Sequence, residues 1–205
     1  MKVLLVNGSP REKGCTYTAL AEIAEQLEKN EIQSEFWHIG AEPIAGCTAC
    51  GVCWREGGCP HGGGVNELIA KIKESDGLII GSPVYFAGIN GNLASLLDRV
   101  FYAKDSFAGK PAAAIVSCRR GGSGTAHDRL NKYFTISNMP VVSSQYWNGV
   151  HGNTPNEVRR DLEGMQIMRT LANNMAWLIK CIAAGKAAGI EVPASEQRVG
   201  TNFIR

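Results

Sequence analysis

The chain has 205 residues, of which 44% are apolar and 20% are charged, as in folded globular proteins and unlike disordered or fibrous ones. Its net charge of +2 gives no reason to expect a nucleic acid or a membrane surface as partner. No apolar run approaches the roughly 20 residues that cross a bilayer, and the apolar start at 1–6 is too short for a signal peptide. These features predict one cytoplasmic domain over residues 1–205.

Short apolar runs alternate with amphipathic stretches along the chain. The predicted strands cover 1–7, 35–39, 77–81, 111–117 and 139–145. The predicted helices cover 16–30, with Thr16 as N-cap, then 65–74, 93–101, a stretch from about 125, and one long helix over 157–188. A loop over 40–64, rich in Cys and Gly, interrupts this alternation. Five buried strands alternating with helices predict an open parallel sheet with helices on both faces.

Three segments follow predicted strands and are expected to meet at one edge of that sheet. They are the first loop (8–18), the second loop (82–91) and the third loop (117–124). Open parallel sheets bind their ligands at the carboxyl ends of their strands. The three loops together are therefore the predicted binding site.

The first loop joins a buried strand to the start of a helix, where free backbone N–H groups favour a phosphate. Ser9, Thr16 and Thr18 add hydroxyl groups, and Arg11 adds a guanidinium. The loop lacks both the Walker A spacing and the Gly-x-Gly-x-x-Gly pattern of dinucleotide sites. The alternative is an ordinary strand–helix turn.

The second and third loops carry side chains suited to a flat aromatic ligand. Tyr85 and Phe86 follow a proline in the second loop, although aromatic residues also serve as core or interface residues. The third loop joins Arg119 and Arg120 to glycines that permit close backbone approach. Its alternative is a flexible surface loop with solvated arginines.

Four of the seven cysteines, Cys47, Cys50, Cys53 and Cys59, fall within thirteen residues. An odd number of cysteines in a protein expected in the cytoplasm argues against a disulfide framework. Closely spaced thiolates on a Gly-rich loop can bind an iron–sulfur cluster or zinc, and the third interpretation is uncommitted or redox-active thiols.

The three loops together resemble the flavodoxin-like family of FMN-dependent reductases, which includes the NADPH-dependent FMN reductases and the iron–sulfur flavoproteins. The resemblance rests on Gly8-Ser9-Pro10-Arg11, on Ser82-Pro83-Val84-Tyr85, on Arg119-Arg120-Gly121-Gly122 and on the ending 201–205, and it covers nearly the whole chain. It implies a flavodoxin-like five-stranded α/β fold and one FMN. The implied FMN contacts are Ser9, Arg11, Thr16, Tyr17, Thr18, Pro83, Val84, Tyr85, Phe86, Ser117, Cys118, Arg119, Arg120, Gly121 and Gly122.

The same resemblance implies the chemistry. An FMN oxidoreductase would take electrons from NAD(P)H and pass them to a quinone, an azo or nitro compound, a flavin or a metal ion. In the alternative, the four cysteines hold a [4Fe–4S] cluster that exchanges electrons with ferredoxin and FMN. A non-enzymatic, zinc-stabilised module is a third hypothesis, which leaves the first and second loops unexplained. The long C-terminal helix and an aromatic segment at 146–152 predict a homodimer or homotetramer. The aromatic segment is either a packing or interface loop or one that closes over the flavin of its own or a neighbouring subunit.

Overall fold

The computed structural model describes residues 1–103, 106–194, 196–197, 199–201 and 203. The strands are β1 (Lys2–Asn7), β2 (Gln33–His38), β3 (Gly77–Tyr85), β4 (Gly88–Ile89), β5 (Ala112–Cys118) and β6 (Gly149–His151). The helices are α1 (Cys15–Lys29), α2 (Val52–Arg55), α3 (Val65–Glu74), α4 (Gly91–Tyr102), α5 (Ser123–Ile136), α6 (Pro155–Arg160) and α7 (Leu162–Ala187).

Five of the strands form a parallel sheet in the order β2-β1-β3-β5-β6, which confirms the predicted α/β fold. The two-residue β4 pairs antiparallel with the end of β3 as a hairpin. Because β1 lies between β2 and β3, and β3 between β1 and β5, the carboxyl ends of β1, β3 and β5 are neighbours.

Alternate residues of the central strands face two separate cores, as expected for a sheet buried on both sides. Leu4 and Val6 pack with helices α3, α4 and α5 on one face. Val3 and Leu5 pack with helices α1 and α7 on the other. This arrangement leaves the two ends of the sheet as the places where a ligand can reach the strands.

The fifth strand was predicted in the wrong place. Residues 139–145 carry only an isolated bridge between Val141 and Ala112, and the edge strand is β6. Pro140 lacks an N–H group for a ladder, and beyond Val142 the chain turns towards α7, where the Ser143 carbonyl accepts a bond from Asn174. The apolar run marked the approach to the sheet and not the strand itself.

Two helix predictions also need correction. The single helix over 157–188 is two helices, α6 and α7, because Asp161 leaves helical geometry (φ −74°, ψ 79°) and its Oδ1 accepts the N–H of Gly164 at 3.0 Å. The first helix has Gly14 as its N-cap, so Thr16 lies within the first turn and is not a cap.

The Cys- and Gly-rich loop over 40–64 contains one helical turn, α2, and otherwise no regular structure. The ending 201–205, which contributed to the family resemblance, lies largely outside the described residues. None of the helices in the described part of the chain has the length and apolar character needed to cross a membrane.

Candidate functional site

The three predicted loops converge on one cleft at the carboxyl edge of the sheet. A cavity of about 210 Å³ opens there. It is lined by Ser9, Arg11, Cys15, Thr16, Pro83, Val84, Tyr85, Ser117, Cys118, Arg119, Gly152 and Asn153. The N–H of Gly8 donates to the Gly81 carbonyl at 2.8 Å, which joins the first loop to β3. A Cβ on Gly8 would lie 2.5 Å from Leu93, so the glycine lets the first loop pack closely against α4.

The first loop presents an uncapped helix N-terminus to this cleft. No side chain caps α1, whereas Asn90 caps α4 and Asp161 caps α7 with their own oxygens. Ser9 Oγ accepts the N–H of Arg11 at 3.1 Å and shapes the turn just before the helix. The free N–H groups of the first turn of α1 therefore suit an anion such as the phosphate of FMN.

The predicted phosphate ligands on α1 differ in their surroundings. Thr16 lines the cleft, and its hydroxyl lies 2.8 Å from the hydroxyl of Ser117, which ties the first loop to the third. The Thr18 hydroxyl donates to the Gly14 carbonyl and Thr18 does not line the cleft. Tyr17 also lies outside the lining, with its ring 5.2 Å from that of Phe36.

The second loop is a tight hairpin with unusual backbone angles. Phe86 and Ala87 both have positive φ, at 50° and 58°, which is costly for residues with a Cβ. The turn is held against the third loop, since a Cβ on Gly122 would lie 2.9 Å from Ala87. Tyr85 lines the cleft with 46% of its surface exposed, while Phe86 is fully exposed and projects outside the lining.

The third loop contributes fewer lining residues than expected. Ser117, Cys118 and Arg119 line the cleft, whereas Arg120, Gly121 and Gly122 do not. Burial raises the pKa of the Cys118 thiol, which lies 3.6 Å from the Arg120 carbonyl. The thiol therefore stays neutral at ordinary pH.

Sequence reasoning missed Cys15 and Asn153 as cleft residues, whereas Gly152 ends the aromatic segment 146–152, for which the sequence also allows closure over a flavin. Cys15 Sγ lies 3.8 Å from the Gly152 carbonyl, and burial raises the pKa of its thiol. Gly152 and Asn153 follow β6, so placing the last strand correctly would have identified them by the rule that named the other loops. Cys15 could have been found from its position at the start of α1.

The four clustered cysteines line a second, smaller cavity of about 20 Å³, here called the cysteine cavity. Its lining is Cys47, Thr48, Cys50, Gly51, Cys53, Cys59, Pro60, His61, Arg99 and Tyr102. Cys53 is buried, and that burial raises the pKa of its thiol, with a further rise from the neighbouring thiols. A hydrogen bond from the Val52 N–H lowers the pKa of Cys50.

Arg99 of α4 is the buried cation of the cysteine cavity, with 3% of its surface exposed. Its Nε and Nη2 donate to Cys59 Sγ at 3.3 and 3.2 Å. Nη1 donates to the Ala45 carbonyl at 3.2 Å and Nη2 to the Gly62 carbonyl at 2.6 Å. One side chain therefore binds both ends of the Cys- and Gly-rich loop over 40–64, here called the cysteine loop, and directs positive charge at a sulfur atom.

The described residues include no group of three or more Cys, His, Asp or Glu arranged to hold a metal ion. The donor set nevertheless fits a thiolate-bound cluster, because four cysteines line one cavity. A coordinating thiol is deprotonated, and the buried Arg99 guanidinium supplies the matching charge at Cys59.

Comparison with known proteins identifies the family. The sequence profile of the NADPH-dependent FMN reductases matches residues 1–154. The chain belongs to this family. An iron–sulfur flavoprotein of Methanocaldococcus jannaschii is 32% identical over 193 residues, covering 89% of this chain and 99% of that protein. An iron–sulfur flavoprotein of Methanosarcina thermophila is 27% identical over 187 residues, covering 89% and 97%.

Solved structures agree with the fold. RosB, crystallised with 8-demethyl-8-formylriboflavin-5′-phosphate, superposes with a TM-score of 0.71 at 16% identity, covering 100% of this chain and 94% of RosB. An archaeal flavodoxin superposes with a TM-score of 0.60 at 14% identity, covering 88% and 99%. The fold is therefore flavodoxin-like, and membership of the family makes the chain an FMN flavoprotein with oxidoreductase activity.

Proposed function

We propose that this FMN oxidoreductase transfers electrons between a [4Fe–4S] cluster held by Cys47, Cys50, Cys53 and Cys59 and FMN held in the cleft. The observation that carries the proposal is that all four cysteines line one cavity with a buried arginine directed at Cys59. The two relatives named as iron–sulfur flavoproteins support it. A ferredoxin is the partner expected to exchange electrons with the cluster.

Bound FMN would supply the hydride and single-electron chemistry. The chain's own residues would bind and orient it. The first turn of α1, with Ser9, Arg11 and Thr16, would hold the phosphate. Pro83, Val84 and Tyr85, which line the cleft, would contact the ring. Arg119 lines the same cleft and would supply positive charge that stabilises electrons added to the flavin.

Metal analysis tests the cluster assignment. Protein reconstituted without oxygen with iron and sulfide is expected to hold about four iron atoms per chain. Cys53→Ser removes the buried thiol and should abolish iron binding while leaving the FMN content unchanged. Cys181→Ser is the matched control, because Cys181 is exposed on α7 outside the cavity lining. Wild-type protein that binds no iron, or binds one zinc ion instead, would contradict the proposal.

A second candidate function is direct reduction of FMN by NAD(P)H followed by transfer to a small-molecule acceptor. The open mouth of the cleft, with Tyr85 and Phe86 exposed, leaves room for a planar substrate to approach the bound ring. The family description names NADPH. Under this function NADPH should bleach the flavin absorbance of Cys53→Ser as fast as that of wild type. Under the first, only reduced ferredoxin should do so in wild type, and Cys53→Ser should block it.

A further inference from the structure

Helix α4 is the element against which the cysteine loop is fastened. At its start, Asn92 accepts the N–H of Ile44 through Oδ1 and donates to the Glu42 carbonyl through Nδ2. Two helical turns later, on the same face, Arg99 holds the Ala45 and Gly62 carbonyls and Cys59 Sγ. The loop therefore lies along one face of a helix that is otherwise packed into the core.

The contacts of Arg99 exceed what loop anchoring needs. Two carbonyl bonds already fasten the loop, yet two further N–H groups converge on a single sulfur, Cys59 Sγ. Within the described part of the chain, Arg99 donates hydrogen bonds only to that sulfur and to backbone carbonyls. No ion pair between described residues includes Arg99. Burying a guanidinium costs free energy unless a negative group compensates it. A Cys59 sulfur that coordinates a metal gives up its proton and would be that group.

We propose that Arg99 is a positioning residue that sets the reduction potential of the group bound at the cysteine cavity, by holding the Cys59 thiolate with two N–H bonds and a buried positive charge. This inference rests on the proposed function. It assigns the control of electron flow to a residue of α4, outside the cysteine motif.

The direction of the effect follows from charge. Reduction by one electron adds one negative charge to the thiolate-bound group. A buried cation and N–H donors to sulfur stabilise that charge, so Arg99 raises the potential. Burial leaves little solvent to screen the interaction. Lysine would keep the charge but could not reproduce the planar fork that reaches one sulfur with two N–H groups.

Redox titration of three variants, followed by the electron paramagnetic resonance signal of the reduced cluster, tests the inference. Arg99→Gln removes the charge, and Arg99→Lys retains it without the fork. Arg55→Gln is the matched control, because Arg55 is an exposed cation of the same loop whose bond goes to the Cys50 carbonyl and not to a sulfur. We expect the midpoint potential to fall in the order wild type, Arg99→Lys, Arg99→Gln, with Arg55→Gln close to wild type.

Iron content, FMN content and melting temperature accompany each titration. If Arg99→Gln loses iron or fails to fold, the midpoint potential of Arg99→Lys tests the inference instead. An iron-loaded Arg99→Lys protein with the wild-type midpoint potential overturns it. Equal potentials in iron-loaded wild type and Arg99→Gln overturn it too, while the cluster assignment stands. If wild type takes up no iron, the proposed function fails, and the inference fails with it.

Discussion

Thr16 and Thr18 are buried threonines two residues apart on α1, and they have different partners. The Thr16 hydroxyl faces the cleft and pairs with Ser117, while the Thr18 hydroxyl is taken up by the Gly14 carbonyl. The sequence predicts that both hydroxyl groups bind the phosphate of FMN. The Thr18 hydroxyl already donates its proton to the backbone, so it is less able to donate to a ligand. Thr16 is therefore the stronger candidate for a phosphate ligand.

We expect Thr16→Val to weaken FMN binding about tenfold or more, since a hydrogen bond to a charged group such as the phosphate contributes about 1.5–3 kcal/mol. Thr18→Val makes the same replacement of a hydroxyl by a methyl group on the same helix, and it should alter the FMN affinity much less. Fluorescence quenching of FMN gives both dissociation constants. A larger loss in Thr18→Val than in Thr16→Val would reverse the ranking.

Arg11 allows the phosphate contact to be separated from the rest of the cleft. Arg11→Ala should lower the affinity for FMN by tenfold or more, because a hydrogen bond to a charged group contributes about 1.5–3 kcal/mol. Riboflavin lacks the phosphate, so its affinity should be the same in wild type and Arg11→Ala. Calorimetric titration with the two ligands makes the comparison. Equal losses for both would show that Arg11 acts elsewhere than at the phosphate.

His127 predicts a pH dependence of stability. Burial lowers the pKa of its imidazole, which lies 3.2 Å from Asn131 through Nδ1. Below the ordinary histidine pKa of roughly 6.5, the unfolded chain binds a proton that the folded chain does not. The free energy of unfolding therefore decreases as the pH falls from about 6.5 towards the lower pKa that His127 has in the folded chain.

Urea unfolding on either side of pH 6.5 measures this loss. Wild type should lose stability on acidification, and His127→Asn, which cannot titrate there, should lose less. His151→Asn is the control, since His151 is exposed. Identical pH dependence in wild type and His127→Asn would exclude His127 as the source.

At the level of elements, α4 connects the cleft with the cysteine cavity. Its N-cap, Asn90, accepts the N–H of Asn92 through its side-chain oxygen and donates its side-chain amide to the Gly8 carbonyl at 3.0 Å. Its backbone N–H donates to Ser82 Oγ at 3.0 Å. Arg99 lies nine residues further along, about 14 Å at the helical rise. One rigid helix thus fixes the distance between the first loop and Cys59.

Asn90→Ala should therefore cost about 2–4 kcal/mol of unfolding free energy. Loss of the cap contributes about 1 kcal/mol, and an unsatisfied buried Gly8 carbonyl contributes about 1–3 kcal/mol. Asn90→Ser keeps a capping oxygen and loses the amide, so it should cost less. Thr154→Ala, which removes only the cap of α6, should cost about 1 kcal/mol. Urea unfolding measures both free energies. If Asn90→Ala lowers the unfolding free energy no more than Thr154→Ala does, Asn90 stabilises the chain only as a helix cap, and its bond to the Gly8 carbonyl contributes nothing.

Elements with continuous or periodic apolar patterns could be predicted from the sequence, and those decided by a few polar contacts could not. The runs in β1, β3 and β5 are buried on both faces, so their apolar residues mark them directly. The strand β6 has one buried residue, Val150, and no pattern to read. The break at Asp161 lies within a continuing apolar stripe and depends on a single cap.

The candidate site follows the same division. The first and second loops could be located because they follow well-marked strands, and the cysteine spacing is visible in the sequence. Arg99 could not be found, because within an amphipathic helix an arginine reads as a solvent-facing residue. Only the placement of the cysteine loop on α4 buries it.

At the scale of the whole molecule, the described surface carries large apolar side chains that no contact within the chain covers. Tyr146 and Trp147, 60% and 72% exposed, stack edge to face just before β6. Leu162 and Trp177 on α7 are 77% and 67% exposed. Exposed aromatic residues of this kind are enriched in protein–protein interfaces. They support the expectation that the chain forms a homodimer or homotetramer.

We expect light scattering at micromolar concentration to give at least twice the 22.0 kDa mass of the chain. Replacing Trp147 and Trp177 together by serine removes two large apolar side chains from that surface and should shift the mass towards one chain without loss of FMN. Ile136→Ser is the matched control, because Ile136 is 84% exposed but lies at the end of α5. A monomeric wild type that still binds FMN would contradict the expectation. An unchanged mass in the double variant would move the interface to another face.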